Sequence, residues 1–166
     1  MIDSSIDNTK HEIYMRRAIE LAEAAAQMGE VPVGAVVVYD GQIIGEGANQ
    51  REAAADPLGH AEMLALAQAS KYLGRWRLSE CTLYVTLEPC PMCAGALVNS
   101  RVTHLVYGAR DPKAGAAVSL FNIVNSDKLN HRLAVTEGIL KENCGLLLKD
   151  FFKKRRLENQ IEKGLR

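Results

Sequence analysis

The sequence lacks any apolar run long enough to cross a bilayer. Its longest such stretches, around Gly34–Tyr39 and Leu146–Leu148, fall far short of the roughly 20 residues that a membrane helix needs. The first residues, Met1–Asp7, are acidic and polar. They carry neither the basic start nor the apolar stretch of an export signal, so the expected compartment is the cytoplasm, with no membrane partner. Internal repeats, low-complexity tracts and Gly/Ser/Pro linkers are also missing, which predicts a single domain over 1–166. Cysteine is scarce, with four in 166 residues. In the reducing compartment expected here, they do not read as a disulfide framework.

What is present fits a globular chain. The apolar fraction of 48% is too high for a disordered one, and the length suffices for a real core. Net charge is zero but unevenly spread. The tail Lys153–Arg166 holds six basic and two acidic residues, leaving a mildly acidic body. A basic tail on such a body suggests a local patch for an anionic partner.

Thr9-Lys10-His11-Glu12 fits a capping box, in which the threonine and glutamate side chains each satisfy a free backbone N–H. Tyr14, Ala18, Leu21, Ala22 and Ala25 recur at helical spacing, so a helix is predicted to about Met28, ended by Gly29 and Pro32. His11 is expected to face solvent on it. Valine-rich Gly34–Tyr39 reads as a buried strand, Asp40-Gly41 as a two-residue hairpin turn, and Gln42–Gly47 as the returning strand. Helix is predicted over His60–Ser70, strand over Thr82–Leu87, and a short helix opened by Pro91 through Val98. Strands over Val102–Tyr107 and Ala134–Glu137 follow, then a long basic C-terminal helix from about 139 to 160. Strands joined through helices imply an α/β layer structure with helices on both faces of one sheet, part of it parallel.

The informative segments are His60-Ala61-Glu62 and Pro89-Cys90-Pro91-Met92-Cys93. Catalytic zinc usually takes three protein ligands and leaves one position for water. His60, Cys90 and Cys93 supply three, and no further Cys or His with ligand spacing stands near to close the site. Cys81 and Cys144 sit beside apolar residues and read as buried small hydrophobes. Glu62, two residues from His60, can stand by the bound water without binding the metal. A thioredoxin-like redox pair would give His60 and Glu62 no role, and a structural zinc clip would want a fourth ligand from His104 or His131. Residues two apart on a helix point in nearly opposite directions. His60 and Glu62 can therefore share one site only at a helix start, and two helix N-termini should converge there.

This His-x-Glu followed by Pro-Cys-x-x-Cys is the established signature of zinc deaminases. In such chemistry zinc lowers the pKa of its water. The catalytic carboxylate, here Glu62, takes that proton, protonates a ring nitrogen and then serves the departing ammonia. Beyond the signature, the chain resembles the bacterial tRNA-specific adenosine deaminases of the cytidine deaminase-like superfamily. The likeness runs from about Glu12 to Glu158. It rests on Gly29–Ala35, Asn49–Glu52, Asp56-Pro57 through Glu62, Leu87–Ala96, Gly108–Asp111 and Phe151–Arg156. The resemblance implies a three-layer α/β/α fold with one mixed central sheet, a homodimer, one Zn2+ per subunit, and a tRNA anticodon stem-loop as partner. It implies hydrolysis of adenosine to inosine at the wobble position. It also implies substrate contacts from Asn49 (an amide suited to a purine edge), from Val33 packing beside the base, and from the Ala61 backbone near the leaving amine. Asp111 would contact RNA through its loop and Phe152 through the last helix. Val118 stands where the family often has glycine. Deamination of a free nucleobase or nucleoside, such as guanine or cytidine, is the competing function, because the zinc machinery is shared.

Overall fold

The computed structural model describes residues 4–165, with side-chain surroundings from residue 8 onward. The start of the Met1–Asp7 stretch therefore lies outside the described residues. Along the chain run α1 (Ser4–Gln27), β1 (Gly34–Tyr39), β2 (Gln42–Ala48), α2 (Ala61–Leu73), β3 (Thr82–Leu87), α3 (Pro91–Asn99), β4 (His104–Ala109), β5 (Ala134–Glu137) and α4 (Lys141–Gly164). One mixed sheet has the order β2-β1-β3-β4-β5. β1 pairs antiparallel with β2 and β3, whereas β3, β4 and β5 are parallel. Among the described residues no helix is long and apolar enough to cross a membrane.

Strand alternation sends side chains to two cores. Ala35, Val37, Leu83, Val85, Leu105 and Tyr107 face α2 and α3, packing with Ala61, Ala65, Ala69, Ala94 and Leu97. Val36, Val38, Tyr84 and Val106 face the other way, against Met15 and Ala18 of α1 and Cys144 of α4. The result is the three-layer arrangement expected, with the sheet covered on both sides. Cys81 and Cys144 are buried free thiols.

α2 lies unusually close to the sheet. At Gly45 and Gly47 of β2, a Cβ would collide with the backbone carbonyls of Ala65 and Ala61. The absent side chains and the alanine face of α2 thus set the helix against the strand, and this fixes where α2 begins.

The structure departs from the sequence-based expectations at several places. α1 already runs through Thr9 and Glu12, so Thr9 is not its N-cap, and Glu12 instead meets Arg16 at 3.5 Å. His11 does not face solvent. It is 7% exposed, with Nδ1 2.9 Å from the Tyr84 hydroxyl, because position 11 continues the buried stripe Met15, Ala18, Ala22 and Ala25. β4 begins at His104 rather than Val102, since the Val102 N–H is donated to Leu97 at the end of α3. α4 begins at Lys141, after Gly138 and Leu140 at positive φ.

Candidate active site

The two chemistry-bearing segments end up at the starts of two helices. His60 is the N-cap of α2, with extended backbone at φ −81° and ψ 146°. Cys90 is the N-cap of α3, at φ −72° and ψ 172°, and Pro91 follows at the first helical position. Each N-cap carbonyl accepts the first helical hydrogen bond, from Leu64 and from Ala94. Because His60 stands just outside its helix and Glu62 in the first turn, the two-residue offset does not drive their side chains apart.

His60 Nδ1 lies 3.6 Å from Cys90 Sγ and 3.5 Å from Cys93 Sγ. All three donor atoms lie within 4.8 Å of one another, and this group could hold a metal ion. Cys93 is fully buried and Glu62 is 4% exposed. Burial pushes the Glu62 carboxyl up to about 7. The hydrogen bond with Cys93 brings the Cys90 thiol down to about 5 against the effect of burial, and Cys93 is pushed up by the same bond and by its own burial. Both helix N-termini add positive potential that favours anions here.

A cavity of about 210 Å³ opens above these groups. It is smaller than the roughly 300–1,000 Å³ of sites for drug-sized ligands, and suits one base-sized ring. Val31, Val33, Asn49, Arg51, His60, Ala61, Glu62, Glu88, Cys90 and Asp111 contribute to its lining. Asn49 is held in place by donating from Nδ2 to the Val31 carbonyl at 3.1 Å and by accepting from the Arg51 N–H at 3.3 Å. One amide hydrogen and one lone pair remain for a ligand. Asp111 lines the cavity, but its Oδ1 caps the following turn, accepting from the N–H groups of Lys113 and Ala114.

Phe152 is not brought into this cavity. It is 45% exposed and stacks edge-on against Phe151. Both phenylalanines line a neighbouring groove with Glu30, Arg155 and Arg156, which meets the cavity at Val31 and Arg51.

Two buried carboxylates escaped the reading of the sequence. Glu30 accepts from the N–H groups of Glu52 and Ala53 at 3.3 and 2.6 Å, and so holds the loop that follows Asn49. Glu88 does the same for the segment after β4. The one signal available was position, since each precedes a motif that the site uses.

A MafB19-like deaminase family model matches residues 9–156. A tRNA-specific adenosine deaminase of Haemophilus influenzae is 52% identical over 93% of this chain and 90% of its own length. One from Bacillus subtilis is 50% identical over 89% and 92%. A solved structure from a study of A-to-I editing by tRNA:A34 deaminases at the wobble position superimposes with TM-score 0.79 at 38% identity, covering 81% of this chain and 98% of that one. A guanine deaminase from Nitrosomonas europaea gives 0.73 at 28%, covering 84% and 83%. Fold and site together define a deaminase of the cytidine deaminase-like class. Within that class, the chain belongs to the tRNA-specific adenosine deaminase family.

Proposed function

We propose that this protein hydrolyses adenosine to inosine and ammonia at the wobble position of tRNA anticodons, with one zinc ion per subunit held by His60, Cys90 and Cys93. The observation that carries the proposal is the convergence of these three donors beside buried Glu62 on the floor of a base-sized cavity. The donor set fits zinc. Bonds of about 2.0 Å to nitrogen and about 2.3 Å to sulfur at a tetrahedral angle would separate N from S by about 3.5 Å. The two separations here are 3.5 and 3.6 Å.

When bound, the ion supplies Lewis acidity that makes water a nucleophile near neutral pH. Glu62 takes the proton of the attacking water and passes one to the adenine ring nitrogen. It then takes the remaining proton from the oxygen now bonded to the ring carbon and delivers it to the amine, whose bond to that carbon breaks as ammonia leaves. Asn49 presents its remaining donor and acceptor to the purine edge, Val33 packs beside the ring, and the Ala61 backbone borders the leaving amine.

RNA binding is supported by the adjoining groove. Arg155 lies over the Phe151 ring at 5.8 Å, and Arg51, Arg155 and Arg156 flank the same opening. Such a surface can stack a base and neutralise phosphates. An anticodon base is already largely unpaired, which lowers the cost of turning it into the cavity. We further propose Phe152 and Asp111 at this RNA boundary, a cytoplasmic location, a single domain over the whole chain, and a homodimer. Leu58, Val118, Leu120 and Phe121 are exposed apolar side chains that a second subunit would cover.

The test incubates zinc-loaded protein with an anticodon stem-loop carrying a wobble adenosine, and separately with free guanine and cytidine. Inosine in the stem-loop supports the proposal. Turnover of a free base with an untouched stem-loop would replace it with the nucleobase reading.

A further inference from the structure

Glu88 follows β3 directly and is 2% exposed, with no place among the ligand group or the proton transfers. Its carboxylate is instead saturated by one segment of chain. Oε1 accepts from the N–H groups of Ala117, Val118 and Ser119 at 3.2, 2.7 and 2.8 Å. Oε2 accepts from the Asp111 N–H at 2.9 Å and from the Ser119 hydroxyl. Five donors fill the roughly four lone-pair sites of a carboxylate, so none remains for substrate or metal. The same segment is clipped to the active site a second time, where the Ala116 N–H donates to the Pro89 carbonyl at 2.8 Å, next to Cys90.

The wrap around Glu88 is tight enough to dictate composition. A Cβ at Gly115 would overlap the Glu88 carboxylate and the Asp111 carbonyl. Asp111 and Ala114, which lie within the wrapped segment, line the cavity. Glu88 itself borders the cavity, so one wall is shaped by an anion at its own edge.

We infer that Glu88 is a positioning residue. It holds segment 111–119 as the wall of the base cavity, and through that wall it governs how well the RNA-borne base binds. The inference rests on the proposed tRNA reading for its substrate, while the loop anchoring can be read independently.

Glu88→Gln is the direct probe. A glutamine offers one acceptor oxygen and turns an NH2 toward N–H groups that had an acceptor. Gly115→Ala is the second, lifting the loop from an intact carboxylate. Each zinc-loaded variant is compared with wild type for zinc content, melting temperature, stem-loop kinetics and amide hydrogen exchange. The expected result is KM raised by about tenfold or more with kcat within about threefold, a pattern that marks weakened binding rather than weakened chemistry. Zinc content should be unchanged, and exchange should be faster at the amides of Asp111, Ala117, Val118 and Ser119. The double variant should be little worse than the worse single one, because both act on the same anchoring interaction. Should Glu88→Gln fail to fold, Gly115→Ala carries the same readouts. Unchanged exchange and unchanged KM in both variants would overturn the inference, as would a fall in kcat alone. A wild type that ignores the stem-loop, yet shows these amides protected and released by the variants, would sink the tRNA reading and leave the anchoring role standing.

Discussion

Glu62 and Glu88 are both buried carboxylates, 4% and 2% exposed, and their surroundings drive them in opposite directions. Burial dominates at Glu62 and pushes it up to about 7. At Glu88 burial pulls the same way, but the donations from Ser119, Asp111 and Val118 outweigh it and hold the group below the usual carboxylate range. Only the first was legible in the sequence. Glu62 stands two residues from a histidine in a pattern with chemical meaning, whereas the donors to Glu88 come from 23 to 31 positions later. Glu137 is a third case, this one near the surface. Bidentate Arg110 and the Tyr107 hydroxyl lower it to about 2 from the ordinary 4.5. A carboxylate lowered by folding stabilises the fold above its ordinary pKa, and that contribution disappears as pH falls through the folded value. Glu137→Gln should therefore lower the melting temperature most above pH 4.5 and cost progressively less toward pH 2. Water around this exposed pair keeps the effect small. A melting difference that grew on acidification would contradict this assignment.

At the scale of elements, the segments with strong local signals were read to within a residue or two. The valine-rich run of β1, the Asp40-Gly41 turn and the Pro91 helix start all act within a few positions. At β4 a distant partner decides. Val102 looks like strand, but it serves the end of α3, and the parallel ladder begins where His104 finds Thr82 and Ala134. α4 continues to Gly164, past its expected end. Its exposed stretch Lys153–Lys163 is built largely from Lys, Arg, Glu and Gln, which favour helix without any packing. The placement of α2 is a packing result, and it gives a prediction. Gly47→Ala would drive a Cβ into the Ala61 carbonyl, at a cost of about 1–3 kcal/mol for an overpacked core position. Because His60 caps that helix, zinc content should fall along with the melting temperature. A variant that melts lower yet keeps full zinc at limiting metal would show that α2 does not set the site.

At the scale of the whole molecule, the sheet brings the two helix starts together and leaves the basic end of α4 beside the opening they share. The sequence showed the charge imbalance but not its place, since it is the packing of α4 on β4, β3 and α1 that puts Arg155 and Arg156 in the groove next to Arg51. Phe152 shows the same limit: the resemblance offered it as an RNA contact on the last helix, and only the fold shows that it lines this groove beside the base cavity. Replacing Lys153, Lys154, Arg155 and Arg156 with glutamine should weaken stem-loop binding and flatten its salt dependence. Each phosphate that goes unneutralised removes roughly 0.7–0.9 of a unit of log–log slope. An unchanged slope, measured by titration at several salt concentrations, would assign the tail to solubility. The proposed chemistry depends on something narrower than the proposed RNA surface: a metal that His60, Cys90 and Cys93 would hold, working with a carboxylate that would not hold it. The most direct measurement is zinc content and inosine formation in Glu62→Gln beside wild type, on the same stem-loop. One zinc per chain is expected in both, with turnover in the variant reduced by about 10²-fold or more. Retained turnover, or disappearance of the metal with the carboxylate, would contradict it.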